Sequence, residues 1–209
     1  MLGNHGRSVT RTIFTPLARL LIKLHVGPNA VTAGGTVLVT GFALWLLPTG
    51  HLWQAALILG ALAFLDSVDG NVARLSGKTS NFGAFLDSTL DRVSDAAVFG
   101  GLVMYFALRH DHAWSLWGLG LATACLALGA IVPYARARAE SLGAKASVGL
   151  AERTDRLVLT LVVCFWVGVG LTAWVLVAAL GLLAIASLFT VWQRIQAVYH
   201  QIANQPRGD

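Results

Sequence analysis

Half of the ten acidic residues in this 209-residue chain lie between positions 66 and 95, in a stretch that is otherwise rich in apolar residues. Four of them form two pairs whose members are three or four residues apart: Asp66 with Asp69, and Asp87 with Asp91. Carboxylates are costly to bury in an apolar segment and repel one another, so the group requires positive charge between its members. Carboxylate oxygens are ligands that Mg²⁺ and Mn²⁺ prefer. The pattern therefore predicts two bound divalent cations, which at a membrane surface indicates phosphate chemistry.

The residues near the two pairs fit a phosphate ligand. Gly70 and Gly83 have no side chain and Ala73 has a small one, so a ligand or a neighbouring helix can approach the backbone closely. Arg74 can donate two parallel hydrogen bonds to a phosphate. The alternative interpretation is that the carboxylates pair with arginines or line a water-filled cavity. That alternative accounts for one isolated Asp-x-x-Asp motif, whereas the complete pattern favours bound metal.

The elements that would hold these residues are predicted to be membrane-spanning helices. Hydrophobic residues make up 56% of the chain and charged residues 12%, whereas a soluble domain has about 25% charged residues. Six apolar segments each approach the ~20 residues that a spanning helix needs: 30–47, 52–75, 84–108, 114–140, 154–170 and 172–197. Segment 8–25 alternates apolar and basic residues at helical spacing, which is typical of an amphipathic helix at the membrane interface. The predicted fold class is all-α integral membrane, with six transmembrane helices preceded by an N-terminal amphipathic interfacial helix.

The placement of basic residues predicts the orientation of these helices. With six spans, Arg109 alone lies on one side of the membrane. The other Lys and Arg residues of the loops and termini lie on the opposite side, which is therefore predicted to be the cytoplasmic side. Both termini and the acidic residues are therefore expected at the cytoplasmic face of the cell membrane. The predicted divisions are an interfacial helix at 1–27, a six-helix domain at 28–200 and a cytoplasmic tail at 201–209. The net charge of +5 suits anionic lipid headgroups, and no nucleic-acid partner is expected.

Both aspartate pairs are predicted to lie at the same depth in the membrane. Asp66 and Asp69 are near the end of the second segment, Asp87 and Asp91 are near the start of the third, and each pair shares one helix face. The connection at about 75–82 is short and polar. We therefore expect the second and third helices to be antiparallel and adjacent, with the two pairs facing each other.

The whole motif resembles that of a known family. The run Asp66-x2-Asp69-Gly70-x2-Ala73-Arg74-x8-Gly83-x3-Asp87-x3-Asp91 matches the signature of the CDP-alcohol phosphotransferases at every position. The resemblance implies a six-helix membrane enzyme, commonly a homodimer. Such an enzyme moves a phosphatidyl-type group from a CDP-linked lipid, here CDP-diacylglycerol, to an alcohol and releases CMP.

The resemblance also implies a role for each matching residue. The four aspartates would be ligands of two divalent cations, Mg²⁺ or Mn²⁺, and Asp91 would also act as the general base that takes the proton from the acceptor hydroxyl. The residues implied to bind the CDP-lipid are Asn29, Thr32, Gly70, Ala73, Arg74 and Thr79. From spacing alone, Pro28-Asn29 is equally a helix start with a capping residue.

Three arginines predict an anionic acceptor. Arg136, Arg153 and Arg194 belong to three different segments and fall at the end that carries the carboxylates, where guanidinium groups could bind a phosphate ester. Positive-inside topology alone could also account for them. The run from Tyr134 to Glu140 and the Glu152-Arg153 pair resemble the bacterial phosphatidylinositol-phosphate synthases, although Arg136 stands where lysine is expected. This resemblance implies inositol 1-phosphate as the acceptor and the three arginines as its phosphate site.

Two alternative functions are considered. A phosphatidylglycerophosphate synthase, which uses glycerol 3-phosphate, has the same arrangement of charge. A membrane cation transporter would also place carboxylates in membrane helices, but it should carry acidic residues along a path across the bilayer. The opposite half of this chain is nearly bare of them, so the sequence favours the enzyme.

Overall fold

The computed structural model describes residues 28–75, 80–150 and 152–203, with side chains at 29–65, 80–150 and 152–202. The predicted interfacial helix at 1–27, most of the predicted tail and Thr79 lie outside the described residues. Within them the chain forms six helices and no strand. The helices are α1 (Pro28–Thr49), α2 (Leu52–Leu75), α3 (Asn81–Ala107), α4 (Ser115–Ser141), α5 (Arg153–Val169) and α6 (Trp174–Ala203).

Each of the six predicted apolar segments corresponds to one of these helices. The break between the last two segments, predicted at a short apolar stretch, lies between Val169 and Trp174. The helices α3 and α6 extend several residues beyond the predicted segments. These extensions are polar or mixed in sequence, so hydropathy alone did not mark them as helical.

The helices pack in a closed ring with the order α2–α1–α3–α4–α6–α5 and back to α2. Apolar side chains from all six helices fill the interior of the described part of the chain; Leu47, Leu59, Phe99, Cys125, Leu161 and Leu180 are all buried there. Dense van der Waals packing of this kind holds helices together when the surroundings are as apolar as the side chains themselves.

Among the described contacts, helix α1 packs against both α2 and α3. Our expectation that the aspartate-bearing ends of α2 and α3 are adjacent stays a prediction, because the α2 side chains from Asp66 onward lie outside the described residues. The close packing of α1 on α3 depends on Gly101, where an added Cβ atom would lie 2.7 Å from the Ala43 carbonyl oxygen and 3.0 Å from Cδ1 of Leu47. A missing side chain lets two helix backbones approach one another closely. In the described residues α2 and α3 face each other across a cavity that both helices line.

The outer surface of the ring is apolar. Large side chains such as Trp45, Leu116, Trp117 and Ile185 are more than half exposed, and an apolar surface of this extent is typical of lipid contact. Among the described residues, three helical stretches are long and apolar enough to cross a membrane: Asn29–Thr49, Ser115–Ser141 and Trp174–Ile202. The all-helical fold is therefore that of a membrane protein.

Candidate active site

Helix α3 carries a row of three aspartates on one face. Ser80 begins the helix, since its Oγ accepts a hydrogen bond of 2.9 Å from the Gly83 nitrogen. Asp87, Asp91 and Asp95 then follow at intervals of four residues, so their side chains point to the same side. Their burial increases along the row: Asp87 is exposed, the Asp91 side chain is 20% exposed and that of Asp95 is 4% exposed. The row therefore runs from the surface into the core.

The middle of this row opens on a small cavity of about 40 Å³ between α1, α2, α3 and α5. Thr32, Asp91, Ser94 and Arg153 are among its polar lining residues, and the rest of its wall is mainly apolar. The cavity thus has hydrogen-bonding groups beside an apolar wall.

Arg153, the first residue of α5, contacts two of the aspartates. Its Nη1 atom is 2.7 Å from Oδ1 of Asp91, and its Nε donates a 3.1 Å hydrogen bond to Oδ1 of Asp95. The start of α5 is held by a hydrogen bond of 3.3 Å from the Glu152 nitrogen to Oδ2 of Asp155. Because both ends of this contact lie on regular helices, the guanidinium group is held firmly beside the Asp91 carboxylate.

Two further arginines complete the charged cluster. Nη2 of Arg156 donates a 3.1 Å hydrogen bond to Oδ2 of Asp95, and Nη2 of Arg92 is 3.7 Å from Oδ2 of Asp91. Asp95 and Arg156 had no role in the predictions made from the sequence. Spacing could have placed Asp95 on the face of Asp91, and Arg156 on the face of Arg153. It could not have shown that the two faces meet.

The predicted CDP-lipid residues fall into two groups. Thr32 lines the cavity, and Oδ1 of Asn29 lies 3.3 Å from the position that a Cβ atom would take at Gly83. The start of α1 therefore meets the start of α3 at a glycine of the motif. Gly70, Ala73 and Arg74 lie within α2, but their side-chain positions, like Thr79, are outside the described part of the chain.

The predicted metal ligands come from two helices. Asp66 and Asp69 lie in α2 and their side chains are outside the description, whereas Asp87 and Asp91 lie on the described face of α3. Among the described side chains, no three of His, Cys, Asp or Glu are grouped as a metal site. The two α3 carboxylates lie one turn apart and offer oxygen donors only, which fits a hard divalent cation such as Mg²⁺ or Mn²⁺.

The other two predicted acceptor arginines have different surroundings. Arg194 is 5% exposed, and it donates from Nε to the Val148 carbonyl at 3.0 Å and from Nη1 to the Val132 carbonyl. Arg136 is exposed and its Nε lies 2.9 Å from Oε1 of Glu140. Arg136 and Arg156 are near enough for their charges to act on Arg194. Positive charge from α4, α5 and α6 is thus gathered at one end of the ring, but only Arg153 of the three lines the cavity.

A ring of apolar helices with carboxylates and arginines at one cavity fits a membrane enzyme that acts on charged lipid substrates. The family of this enzyme is identified by comparison, because the family model of CDP-alcohol phosphatidyltransferases matches residues 25–192. The chain belongs to this family and is a transferase.

The chain is similar to individual members of this family. It is 41% identical over 199 residues to the phosphatidylinositol phosphate synthase of Corynebacterium glutamicum, and the alignment covers 93% of this chain and 88% of that protein. It is 41% identical over 201 residues to the enzyme of the same name from Cutibacterium acnes, covering 93% of this chain and 96% of that one.

Two solved structures have the same fold. The phosphatidylinositol phosphate synthase of Mycobacterium tuberculosis with CDP-DAG bound superposes with a TM-score of 0.84 at 33% identity, covering 95% of this chain and 100% of that one. The same enzyme in complex with manganese and citrate has a TM-score of 0.85 at 33% identity, with 94% of each chain covered.

Proposed function

We propose that the protein transfers the phosphatidyl group of CDP-diacylglycerol to inositol 1-phosphate, giving phosphatidylinositol phosphate and CMP. The observation that carries the proposal is the Arg153 guanidinium, which lies 2.7 Å from the Asp91 carboxylate at a cavity of a transferase family. A neutral alcohol would have no use for a fixed guanidinium beside the general base. An acceptor that is itself a phosphate ester would bind it through paired, charge-assisted hydrogen bonds.

Each predicted site residue has a role in the proposed reaction. Asp91 takes the proton from the acceptor hydroxyl, whose oxygen attacks the lipid-bearing phosphorus of the donor as CMP leaves. Asn29 and Thr32, together with Gly70, Ala73, Arg74 and Thr79, bind the CDP-lipid. When bound to Asp66, Asp69, Asp87 and Asp91, two divalent cations would neutralise the pyrophosphate and stabilise charge on the departing CMP. The manganese in the M. tuberculosis enzyme supports this part of the proposal.

The acceptor's phosphate is bound by arginines from three helices. Arg153 lies in the cavity and exchanges its contact with Asp91 for a contact with the phosphate. Arg194 and Arg136 contribute positive charge from α6 and α4 at the same end of the ring. The names of the relatives, all phosphatidylinositol phosphate synthases, support inositol phosphate as the acceptor over glycerol 3-phosphate.

The proposal includes the arrangement in the membrane. All six helices would span the bilayer of the cell membrane, with residues 1–27 at the interface, and with both termini and the cavity at the cytoplasmic side. At the other end Arg109 is held against the protein: its Nη1 donates a 3.1 Å hydrogen bond to the Pro48 carbonyl, and its guanidinium lies 4.0 Å from the centre of the Tyr105 ring. A single arginine at that end, held against the protein, agrees with the positive-inside rule. The family resemblance further suggests a homodimer.

A panel of acceptors tests the reaction. Purified protein is mixed with CDP-diacylglycerol and Mg²⁺ or Mn²⁺, and each tube receives inositol 1-phosphate, glycerol 3-phosphate, free inositol or no acceptor. We expect CMP and a lipid of the mass of phosphatidylinositol phosphate in the first tube alone. A parallel set with a chelator in place of the metal should give no product.

The outcomes separate the alternatives. Product with glycerol 3-phosphate and none with inositol 1-phosphate would identify a phosphatidylglycerophosphate synthase. Equal product with free inositol and its phosphate would show that the arginines do not select a charged acceptor. No CMP from any tube would remove the enzymatic proposal.

A further inference from the structure

We propose that Asp95 is a positioning residue that holds Arg153 in the cavity and thereby sets the affinity of the enzyme for its anionic acceptor. The inference rests on the proposed function, because it takes Arg153 to be the arginine that meets the acceptor's phosphate. Asp95 lies outside the four-aspartate motif of the family signature. Its role is inferred from its contacts and its burial in this protein.

The Asp95 carboxylate is buried and fully engaged by arginines. Its side chain is 4% exposed, and each oxygen accepts one hydrogen bond of 3.1 Å, Oδ1 from Nε of Arg153 and Oδ2 from Nη2 of Arg156. Both Asp95 oxygens are therefore held by guanidinium groups at the inner end of the α3 row.

Among the described residues Arg153 contacts two carboxylates, and these differ in what else they must do. Asp91 contacts Nη1 of Arg153 at 2.7 Å, but Asp91 is also the proposed base and a proposed cation ligand. An oxygen that serves in either role is less available to a guanidinium group. Asp95 has neither role, so its contact with Nε persists while the contact between Asp91 and Nη1 is exchanged for one with substrate.

The geometry of this contact determines what Arg153 presents to the cavity. A guanidinium group is planar, and one hydrogen bond at Nε restricts the position of the whole group. With Nε held by Asp95, the Nη atoms remain near Asp91 at the cavity, where the acceptor is expected. Without Asp95, the long Arg153 side chain would populate many rotamers. Ordering that side chain when the acceptor binds would cost entropy and so weaken the affinity for the acceptor.

Arg156 completes the arrangement. Its side chain is 2% exposed, and its guanidinium group contacts the second Asp95 oxygen. Arg156 is not among the residues that line the cavity. Within the described part of the chain, its Nε and Nη1 atoms have no hydrogen-bond partner. We interpret Arg156 as the counter-charge that keeps the Asp95 carboxylate in one orientation.

The direct test is Asp95→Asn in the full-length protein with metal and CDP-diacylglycerol present. A side-chain amide has one acceptor oxygen and one donor nitrogen. It therefore cannot accept a hydrogen bond at both positions, as the two carboxylate oxygens of Asp95 do. Loss of a hydrogen bond to a charged group predicts a rise of about tenfold in the KM and in the Kd of inositol 1-phosphate. The KM of CDP-diacylglycerol should stay at the wild-type value. The matched control is Asp111→Asn, which makes the same chemical change at an exposed aspartate in the loop between α3 and α4.

A second pair of variants keeps the test valid if Asp95→Asn does not fold. Asp95→Leu combined with Arg156→Met removes the buried carboxylate and its buried counter-charge together, which avoids an unpaired internal charge. The single Arg156→Asn variant, by contrast, keeps the contact between Asp95 and Arg153. The single variant removes one partner of a buried pair, so its melting temperature should be the lower of the two. We nevertheless expect weaker acceptor binding in the double variant than in the single one, because only the double variant loses the contact between Asp95 and Arg153.

A double-mutant cycle with Arg153→Ala separates positioning from a general structural role. If Asp95 acts through Arg153, Asp95→Asn should add little to the loss of acceptor affinity that Arg153→Ala already causes. Fully additive losses, or a fall in kcat with unchanged acceptor affinity, would overturn the inference. If the wild-type protein uses a different anionic acceptor, the proposed function fails, and the same cycle is then run with that acceptor.

Discussion

At the scale of single residues, three aspartates on one face of α3 show how position separates roles within one residue type. Asp87 is at the surface, Asp91 is partly exposed at the cavity, and Asp95 is buried between two arginines. Exposure gives a carboxylate access to substrate or metal, whereas burial between positive charges makes it a structural counter-ion. The same side chain is therefore expected to serve binding, proton transfer and positioning along two turns of helix.

Asp91→Asn tests the proposed base. The amide cannot take a proton from the acceptor hydroxyl, so we expect kcat to fall by about 10²-fold or more. Thermal unfolding should remain near that of the wild-type protein, since the residue is partly exposed and the helix is unchanged. Asp111→Asn is the control, because Asp111 is an exposed aspartate in the loop between α3 and α4. Near-normal turnover in Asp91→Asn would remove the base assignment.

At the scale of elements, the loop between α4 and α5 is held against α6. The Gln201 side chain accepts a 2.8 Å hydrogen bond from the Lys145 nitrogen and donates one of 2.7 Å to the Lys145 carbonyl. Arg194 donates to the Val148 carbonyl, and Thr190 accepts from the Leu150 nitrogen at 3.1 Å. This loop leads directly into Arg153, so α6 indirectly determines where α5 begins.

The packing of α1 on α3 yields a second prediction. In Gly101→Ala, the new methyl group would lie 2.7 Å from the Ala43 carbonyl, and forcing the helices apart should cost about 1–3 kcal/mol of stability. Gly100→Ala is a matched control, because nothing lies within 4 Å of the methyl position there. Replacing glycine within a helix stabilises it by up to about 1 kcal/mol. Thermal unfolding in detergent should therefore show a lower melting temperature for Gly101→Ala and a higher one for Gly100→Ala.

At the scale of the whole molecule, the ring has one charged end and one nearly neutral end. The described cluster of Asp91, Asp95, Arg153 and Arg156 lies at the first, and Arg109 lies at the second. A site for charged substrates at one end lets the donor's acyl chains stay in the bilayer while its CDP group enters the cavity from the headgroup region.

Cysteine labelling in membrane vesicles tests this orientation. The two native cysteines, Cys125 and Cys164, are buried, so a cysteine added at an exposed site should dominate the labelling. Lys145→Cys is expected to react with an impermeant maleimide from the cytoplasmic face, and Asp111→Cys from the opposite face. Reaction of both from the same face would show that the six-span arrangement is wrong.

The sequence by itself determined the helices and the spacing of the motif. Apolar runs of spanning length predicted all six described helices, and intervals of three or four residues placed each aspartate pair on one face. These properties are local, because hydrogen bonding within a helix and its periodicity depend only on nearby residues. The family, and with it the chemistry, was also readable from the motif at positions 66–91.

Only the tertiary structure decided which faces meet. Arg153 is 58 residues from Asp95, and no periodicity indicates that their helices bring them together or that Arg156 joins them. The packing of α1 on α3 likewise depends on a close approach at Gly101, which the sequence alone does not reveal because the facing Ala43 carbonyl is distant along the chain. Contacts between distant segments follow from how whole helix surfaces fit together, and that fit is a property of the assembled ring.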